Sequence, residues 1–342
     1  MKKIILIFLI LITIISCSKN EPVPEENNNL FSQNALVVGY LPSWRFDLNE
    51  KIEYCKITHL NLAFANPDSN GNLIMPDISS VVSKAKKDNP NIKICISIGG
   101  GALTTEQATN WSNLIGSSEN RTNIVSKTVE YVLKNNLDGV DVDLEWENVT
   151  SGYSDFVIDL NDELDKHSKI ITAALPGTTK YTNITSNALQ VFDFIHIMAY
   201  DFKGPWKPTD AGQHSSYSNA EQSINFWMNS VGISGKKLTL GVPFYGYDFT
   251  NSSNVTAFSF SSMVLSNTSF ADIDKVGSKF YNGRTTIRSK VKLASNKVNG
   301  VMIWELGQDS GLYDSFSEYS LLKTIHKEYS KLGVKTTNLC ND

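Results

Sequence analysis

The sequence predicts an α/β fold, a (β/α)8 barrel formed as a single domain over residues 35–335. Three observations predict it. Eight short runs rich in Val, Ile, Leu and Ala recur along the chain, as do parallel strands covered on both faces. Stretches of helical spacing or propensity lie between them, the alternation that builds a parallel sheet. The chain has 342 residues, 41% of them hydrophobic, so it can bury one large core. A single barrel of this kind needs only about 250 residues.

The candidate strands run in order. Residues 35–41 (ALVVGYL) and 58–65 (THLNLAFA) are dense in β-formers, and 92–98 (IKICISI) alternates strictly. Residues 137–145 (LDGVDVDLE) alternate apolar with acidic. Residues 169–175, 193–200, 238–245 and 299–305 are short apolar runs bounded by polar residues. Helical stretches fill the gaps at 78–87, 121–135, 153–167, 220–231, 286–296 and 316–331, with short ones at 48–54 and 187–192. Residues 248–283 are rich in Ser, Asn, Thr and Phe and show no strong period.

The fourth strand carries the chemistry. Asp138-Gly139-Val140-Asp141-Val142-Asp143-Leu144-Glu145 puts four carboxylates into eight residues. Period-2 alternation sets Asp141, Asp143 and Glu145 on one face, with successive Cα atoms about 6.5–7 Å apart. Carboxylates stacked this closely cannot all ionise cheaply, so one is expected to hold a proton near neutrality and act as a general acid. A calcium loop would turn sharply and contain Gly and Asn; this run is built of β-formers. A solvated acidic face would not be flanked by Val, Leu and Trp146.

Four elements resemble the family 18 glycoside hydrolases, the chitinases and related endo-β-N-acetylglucosaminidases. Asp138-x-x-Asp141-x-Asp143-x-Glu145 is similar to that family's DxxDxDxE signature, and Ser97-Ile98-Gly99-Gly100 to its SxGG. Met198-Ala199-Tyr200-Asp201 resembles MxYD, and residues 300–305 resemble the late strand whose Trp floors the sugar site. They stand in the family's order and cover residues 37–329. One departure is local: Leu144, Trp146 and Glu147 replace an aromatic, a Tyr and a Pro. Position 144 faces away from the acidic side, so the chemistry is expected to survive the change.

The resemblance implies the same barrel, the TIM barrel, and a substrate-assisted, retaining hydrolysis in which the sugar's own acetamide attacks. Glu145 would be the acid and then the base. Asp143 would orient the acetamide, Asp141 would share a proton with Asp143, and Tyr200 would donate to the acetamide oxygen. Asp201 would bind sugar hydroxyls, and Trp304 would floor the ring. Gly99, Gly100 and Met198 fall within the matching motifs and are assigned to substrate binding. Ser97 would support Asp141, while Asp138, out of phase with the acidic face, is read as structural.

In a barrel, active residues gather at the C-terminal ends of strands. Tyr40, Trp44, Phe64, Tyr245 and Tyr247 mark such ends, where aromatic planes can stack on sugar faces; Tyr40, Phe64 and Tyr245 are taken as substrate contacts. Many family members carry an α+β insertion after the seventh strand. Here the space is small, so it is expected to be short or absent and the groove shallow, suited to internal cuts.

The leading substrate is chitin or chitooligosaccharide. The alternatives are cleavage of the chitobiose core of N-glycans and a non-catalytic lectin of the same fold; an acid at position 145 argues against the lectin. No cofactor or metal is expected. The formal charge of −4 and the lack of a basic stripe argue against nucleic acid.

Lys2-Lys3 precedes an apolar run over residues 4–15, too short to span a bilayer of about 30 Å. Ile14-Ile15-Ser16-Cys17 resembles a bacterial lipobox, which implies a leader over 1–16 and lipidation of Cys17. Residues 17–34 are polar and Pro/Glu/Asn-rich, a flexible tether. The protein is therefore expected to be an exported, lipid-anchored monomer at a bacterial cell surface or outer membrane. Three widely spaced cysteines remain, Cys55, Cys95 and Cys340, read as no disulfide framework. His59 and His196 are read as satisfied core residues; His167, His214 and His326 as peripheral.

Overall fold

Eight parallel strands close on themselves in a computed structural model that describes residues 31–336. They are β1 (Leu36–Pro42), β2 (His59–Pro67), β3 (Lys93–Gly99), β4 (Gly139–Asp143), β5 (Ile170–Pro176), β6 (Phe194–Met198), β7 (Leu238–Pro243) and β8 (Gly300–Trp304). Each pairs with its sequence neighbour, and β1 pairs with both β2 and β8, which closes the ring. The predicted barrel is the observed fold. The leader, Cys17 and Cys340 lie outside the described residues.

The helices are α1 (Ser79–Asp88), α2 (Thr105–Ile115), α3 (Ser118–Lys134), α4 (Tyr153–Asp165), α5 (Ser186–Val191), α6 (Tyr217–Asn225), α7 (Phe260–Ser266), α8 (Arg284–Lys297) and α9 (Leu321–Lys331). On α4, Phe156, Val157, Leu160 and Leu164 are fully buried at helical spacing. They join the outward residues of the strands, such as Val140, Val142 and Leu144, in the main core. Polar caps start the helices: Thr104 and Gln107 form a reciprocal capping box on α2, and Ser117 caps α3.

Alternation gives the strands a second face, turned into the barrel. A separate apolar cluster of Val38, Tyr40, Ala63, Tyr200, Tyr245 and Met302 lines this interior towards its C-terminal mouth. Asp141 on β4 bonds Tyr40 on β1, three strands away. Such a contact passes only through the inside.

Two helices depart from expectation, and the insertion expected to be short or absent is short. Helix α2 was not foreseen, and the final helix starts at Leu321 because residues 314–319 form a 3-10 turn. The insertion after β7 is present and short. Four strands of two to four residues (Tyr245–Asp248, Thr256–Ser259, Lys275–Val276, Lys279–Phe280) form an antiparallel sheet beside α7. Cysteine pairing is corrected as well: Cys55 is disulfide-bonded. Cys95, the other described cysteine, is a buried free thiol, so the partner of Cys55 lies outside the described residues.

Candidate active site

Asp141 anchors the site from below. Its Oδ2 accepts from the Tyr40 hydroxyl and from Ser97 Oγ, both at 2.7 Å, and its Oδ1 accepts from Thr172 Oγ1 at 2.7 Å. Burial, then the charges of Asp141 and Asp143, push the Tyr40 phenol well up, so it keeps its proton and donates. This corrects the expected proton-sharing with Asp143: three hydroxyls occupy Asp141, and no hydrogen bond joins the two acids among the described residues.

Asp143 is buried, and its Oδ1 has no hydrogen-bond partner among the described residues. Burial raises its carboxyl far above the ordinary range, with Glu145 and then Asp141 adding to the shift. Glu145 follows the last paired residue of β4 but keeps extended backbone, so it remains on the same face. Its carboxyl is pushed up to about 7, first by burial and then by the charge of Asp201. That charge comes from another strand end and not from the acidic strand itself.

The glycines of the SxGG match have a steric reason. Gly99 and Gly100 both take left-handed backbone, at φ of +103° and +98°. A Cβ on Gly99 would meet the Asp143 carbonyl at 2.6 Å, and one on Gly100 would meet the Phe64 ring at 2.8 Å. The Gly100 N–H donates to that same Asp143 carbonyl at 2.7 Å. The loop thus presses against the chain between Asp143 and Glu145, and the Glu145 carboxyl lies against Gly101.

Asp201 follows β6 in left-handed backbone, at φ of +62°. The Tyr245 hydroxyl donates to its Oδ1 at 2.5 Å, and the Tyr247 hydroxyl at 3.1 Å. His214 Nδ1 stands 3.3 Å from the same oxygen, while its Nε2 donates to the Tyr245 carbonyl at 3.2 Å. His214 is fully buried here, which corrects its reading as peripheral. His326 is corrected too, being buried against the Lys56 carbonyl. His196 is buried as expected but only half satisfied. Its Nδ1 meets Thr239 Oγ1 at 2.8 Å, and its Nε2 faces Asp141 at 3.7 Å without a hydrogen bond.

Trp304 ends β8 half-buried. Its ring stacks on Phe64 at 5.6 Å and 21° and tilts against Tyr40 at 5.5 Å. Among the described residues the Tyr200 hydroxyl donates only to the sulfur of Met302, at 3.8 Å, a weak bond that a stronger acceptor can displace. Met198, half-buried, lies on the same strand end. These rings and the carboxyls of Asp143, Glu145 and Asp201 gather at the C-terminal ends of the strands, and Tyr200 feels the charge of all three acids.

A family model described as glycosyl hydrolases family 18 matches residues 36–309. The chain belongs to the glycosyl hydrolases family 18. A solved family 18 chitinase, ChiB from the chitin utilization locus of Flavobacterium johnsoniae, is 52% identical with a TM-score of 0.87, over 90% of this chain and 98% of that one. A chitinase structure from Bacteroides thetaiotaomicron is 28% identical with a TM-score of 0.77, over 88% of this chain and 98% of that one. A chitinase-like effector of Moniliophthora roreri is 29% identical over 248 residues, 63% of this chain and 59% of that protein. The chain thus spans about three fifths of that curated relative's length.

Within this family 18 chain, Asp138 stands apart at the start of the strand. It accepts from Lys86, Lys93 and the Ile94 N–H, which hold its carboxyl low despite partial burial. Sequence reasoning missed Thr172 and Tyr181, the latter close enough to Glu145 and Asp143 to feel both charges. It also missed Trp206, which packs edge-on to Tyr247. Trp44, Trp146 and Trp206 are each about 60% exposed and follow the C-terminal ends of β1, β4 and β6.

Proposed function

We propose that this chain hydrolyses internal β-1,4 bonds between N-acetylglucosamine units of chitin or chitooligosaccharides, with retention, using the substrate's acetamide as nucleophile. One observation carries the reading: the orphaned, buried Oδ1 of Asp143 beside a Glu145 whose carboxyl is held up to about 7. A buried oxygen without a partner is costly, and an acetamide N–H would satisfy it.

In this reading Glu145 gives its proton to the leaving oxygen as the glycosidic bond breaks. The acetamide oxygen, held by the Tyr200 hydroxyl, forms the new bond to the anomeric carbon. Asp143 accepts the acetamide N–H and so orients the group, while the carboxylate left on Glu145 after proton transfer balances the positive charge of the cyclic intermediate. Water then attacks the same carbon and yields its proton to Glu145, and the ring reopens. Trp304 and Phe64 supply the apolar face against which the sugar lies, and Asp201 the hydroxyl contacts. The likeness to the Flavobacterium johnsoniae chitinase supports chitin as the substrate class.

We also infer export, with lipidation at Cys17. The disulfide at Cys55 supports an oxidising compartment. A monomer is the expected state.

Product profiling on chitohexaose beside a high-mannose glycoprotein tests the substrate. Release of shorter chitooligosaccharides is expected. Cleavage of the glycoprotein alone would move the activity to N-glycans, and oligosaccharide binding without turnover would make the protein a lectin.

A further inference from the structure

Lys290 on α8 is fully buried outside the barrel, and no carboxylate forms an ion pair with it among the described residues. Its ammonium meets three neutral acceptors: the Ser215 carbonyl at 2.8 Å, Ser215 Oγ at 2.6 Å and Asn282 Oδ1 at 2.7 Å. Three donors face three acceptors, a complete set. Asn282 Nδ2 also donates to the Ser215 carbonyl, at 2.9 Å.

Ser215 passes the link inward. Its Oγ donates to the Ala199 carbonyl at 2.6 Å, one peptide before Tyr200. Its neighbour His214 contacts Asp201, and the Phe202 N–H donates to the His214 carbonyl at 3.0 Å, closing the loop 202–214 at its base. We infer that Lys290 is a positioning residue for the reaction: acting through Ser215, it fixes residues 199–201 and thereby sets how Asp201 faces Glu145.

A space-filling role explains less. Burying an ammonium costs several kcal/mol, whereas Met would fill similar volume at no such cost. Burial drives the lysine down to about 7, with only Asp274 opposing, so the fold bears this penalty for its hydrogen bonds.

The inference rests on Glu145 being the acid, and Glu145 supplies the readout. Its carboxyl is raised in part by Asp201; Asp143, Tyr181 and Tyr200 also feel its charge or share it. The basic limb of kcat/KM against pH on a soluble chitooligosaccharide therefore reports the distance from Asp201. Ser215→Ala, which cuts the Ala199 link and one of the three Lys290 bonds but keeps the bond to the Ser215 carbonyl, is expected to move that limb to lower pH and to lower kcat by about tenfold or more. Folded Lys290→Met is expected to do the same, and Asp201→Asn gives the reference shift. A merely structural lysine would lower the melting temperature and leave the limb in place. An unmoved limb in Ser215→Ala, or in Lys290→Met if that variant folds, overturns the inference. Full activity in Glu145→Gln would instead overturn the assignment of the acid, so the two failures are distinguishable.

Discussion

Glu145 and Asp143 cannot both lose their protons cheaply, because burial and mutual repulsion raise both carboxyls. In the proposed mechanism the protonated form of Glu145 is the working acid, so activity should hold on the acid side and fall as pH rises through about 7. Glu145→Gln should cost at least about 10²–10⁴-fold in kcat while oligosaccharide binding persists. Asp143→Asn should also lower turnover severely; a mild loss would count against acetamide assistance. Stability gives a second readout. The folded pKa of about 7 lies above the ordinary 4.5, so this group's contribution is complete below pH 4.5 and is lost as pH rises through 7. Gln carries no charge to bury. Glu145→Gln should therefore melt with the wild type at pH 4 and above it at pH 8, by at most about 3 kcal/mol. Equal melting at both values would mean that Glu145 is not strained by burial.

At the scale of elements, the acidic strand was legible because one short-range rule, alternation, fixes which side chains share a face. Its outward partners Val140, Val142 and Leu144 sit in the main core, so a slip of one residue would bury the acids among them. What supports the acids was far less legible. Ser97 was expected beside Asp141 and bonds it, but Thr172 and Tyr40 reach Asp141 from two further strands, and His214 and Tyr247 reach Asp201 from segments 13 and 46 positions away. Barrel closure makes those meetings, and no local pattern encodes it. Helix α2 was missed although its start was written in the chain: Thr104 and Gln107 form a capping box, while its buried Trp111, Leu114 and Ile115 gather at its far end. The box makes a prediction. Thr104→Ala should destabilise by about 1 kcal/mol, read as a lower denaturant midpoint with unchanged kcat. A loss of turnover without a shift in midpoint would tie that cap to the site instead.

For the whole molecule, the barrel shape was readable from eight apolar runs, whereas the cross-link at Cys55 was not, because cysteine parity ignores burial. Of the three cysteines beyond the lipobox, Cys95 is sealed inside the barrel, where burial pushes its thiol well up and makes it inert. Discounting it changes an odd set into a possible pair. Cys55 sits within the 3-10 turn Tyr54–Lys56, between the buried Tyr54 and Lys56, and the Lys56 carbonyl meets His326 on α9. The turn that holds Cys55 precedes β2 and so lies at the N-terminal end of the barrel. Removing a disulfide from a folded domain typically costs about 2–5 kcal/mol. Cys55→Ser should lower the melting temperature, and reductant should lower that of the wild type to match while leaving Cys55→Ser unmoved. Activity at 25 °C should persist in both, since the three acids lie at the opposite, C-terminal mouth. Reductant that destabilises Cys55→Ser equally would show that the thiol chemistry lies elsewhere and remove the support it lends to export.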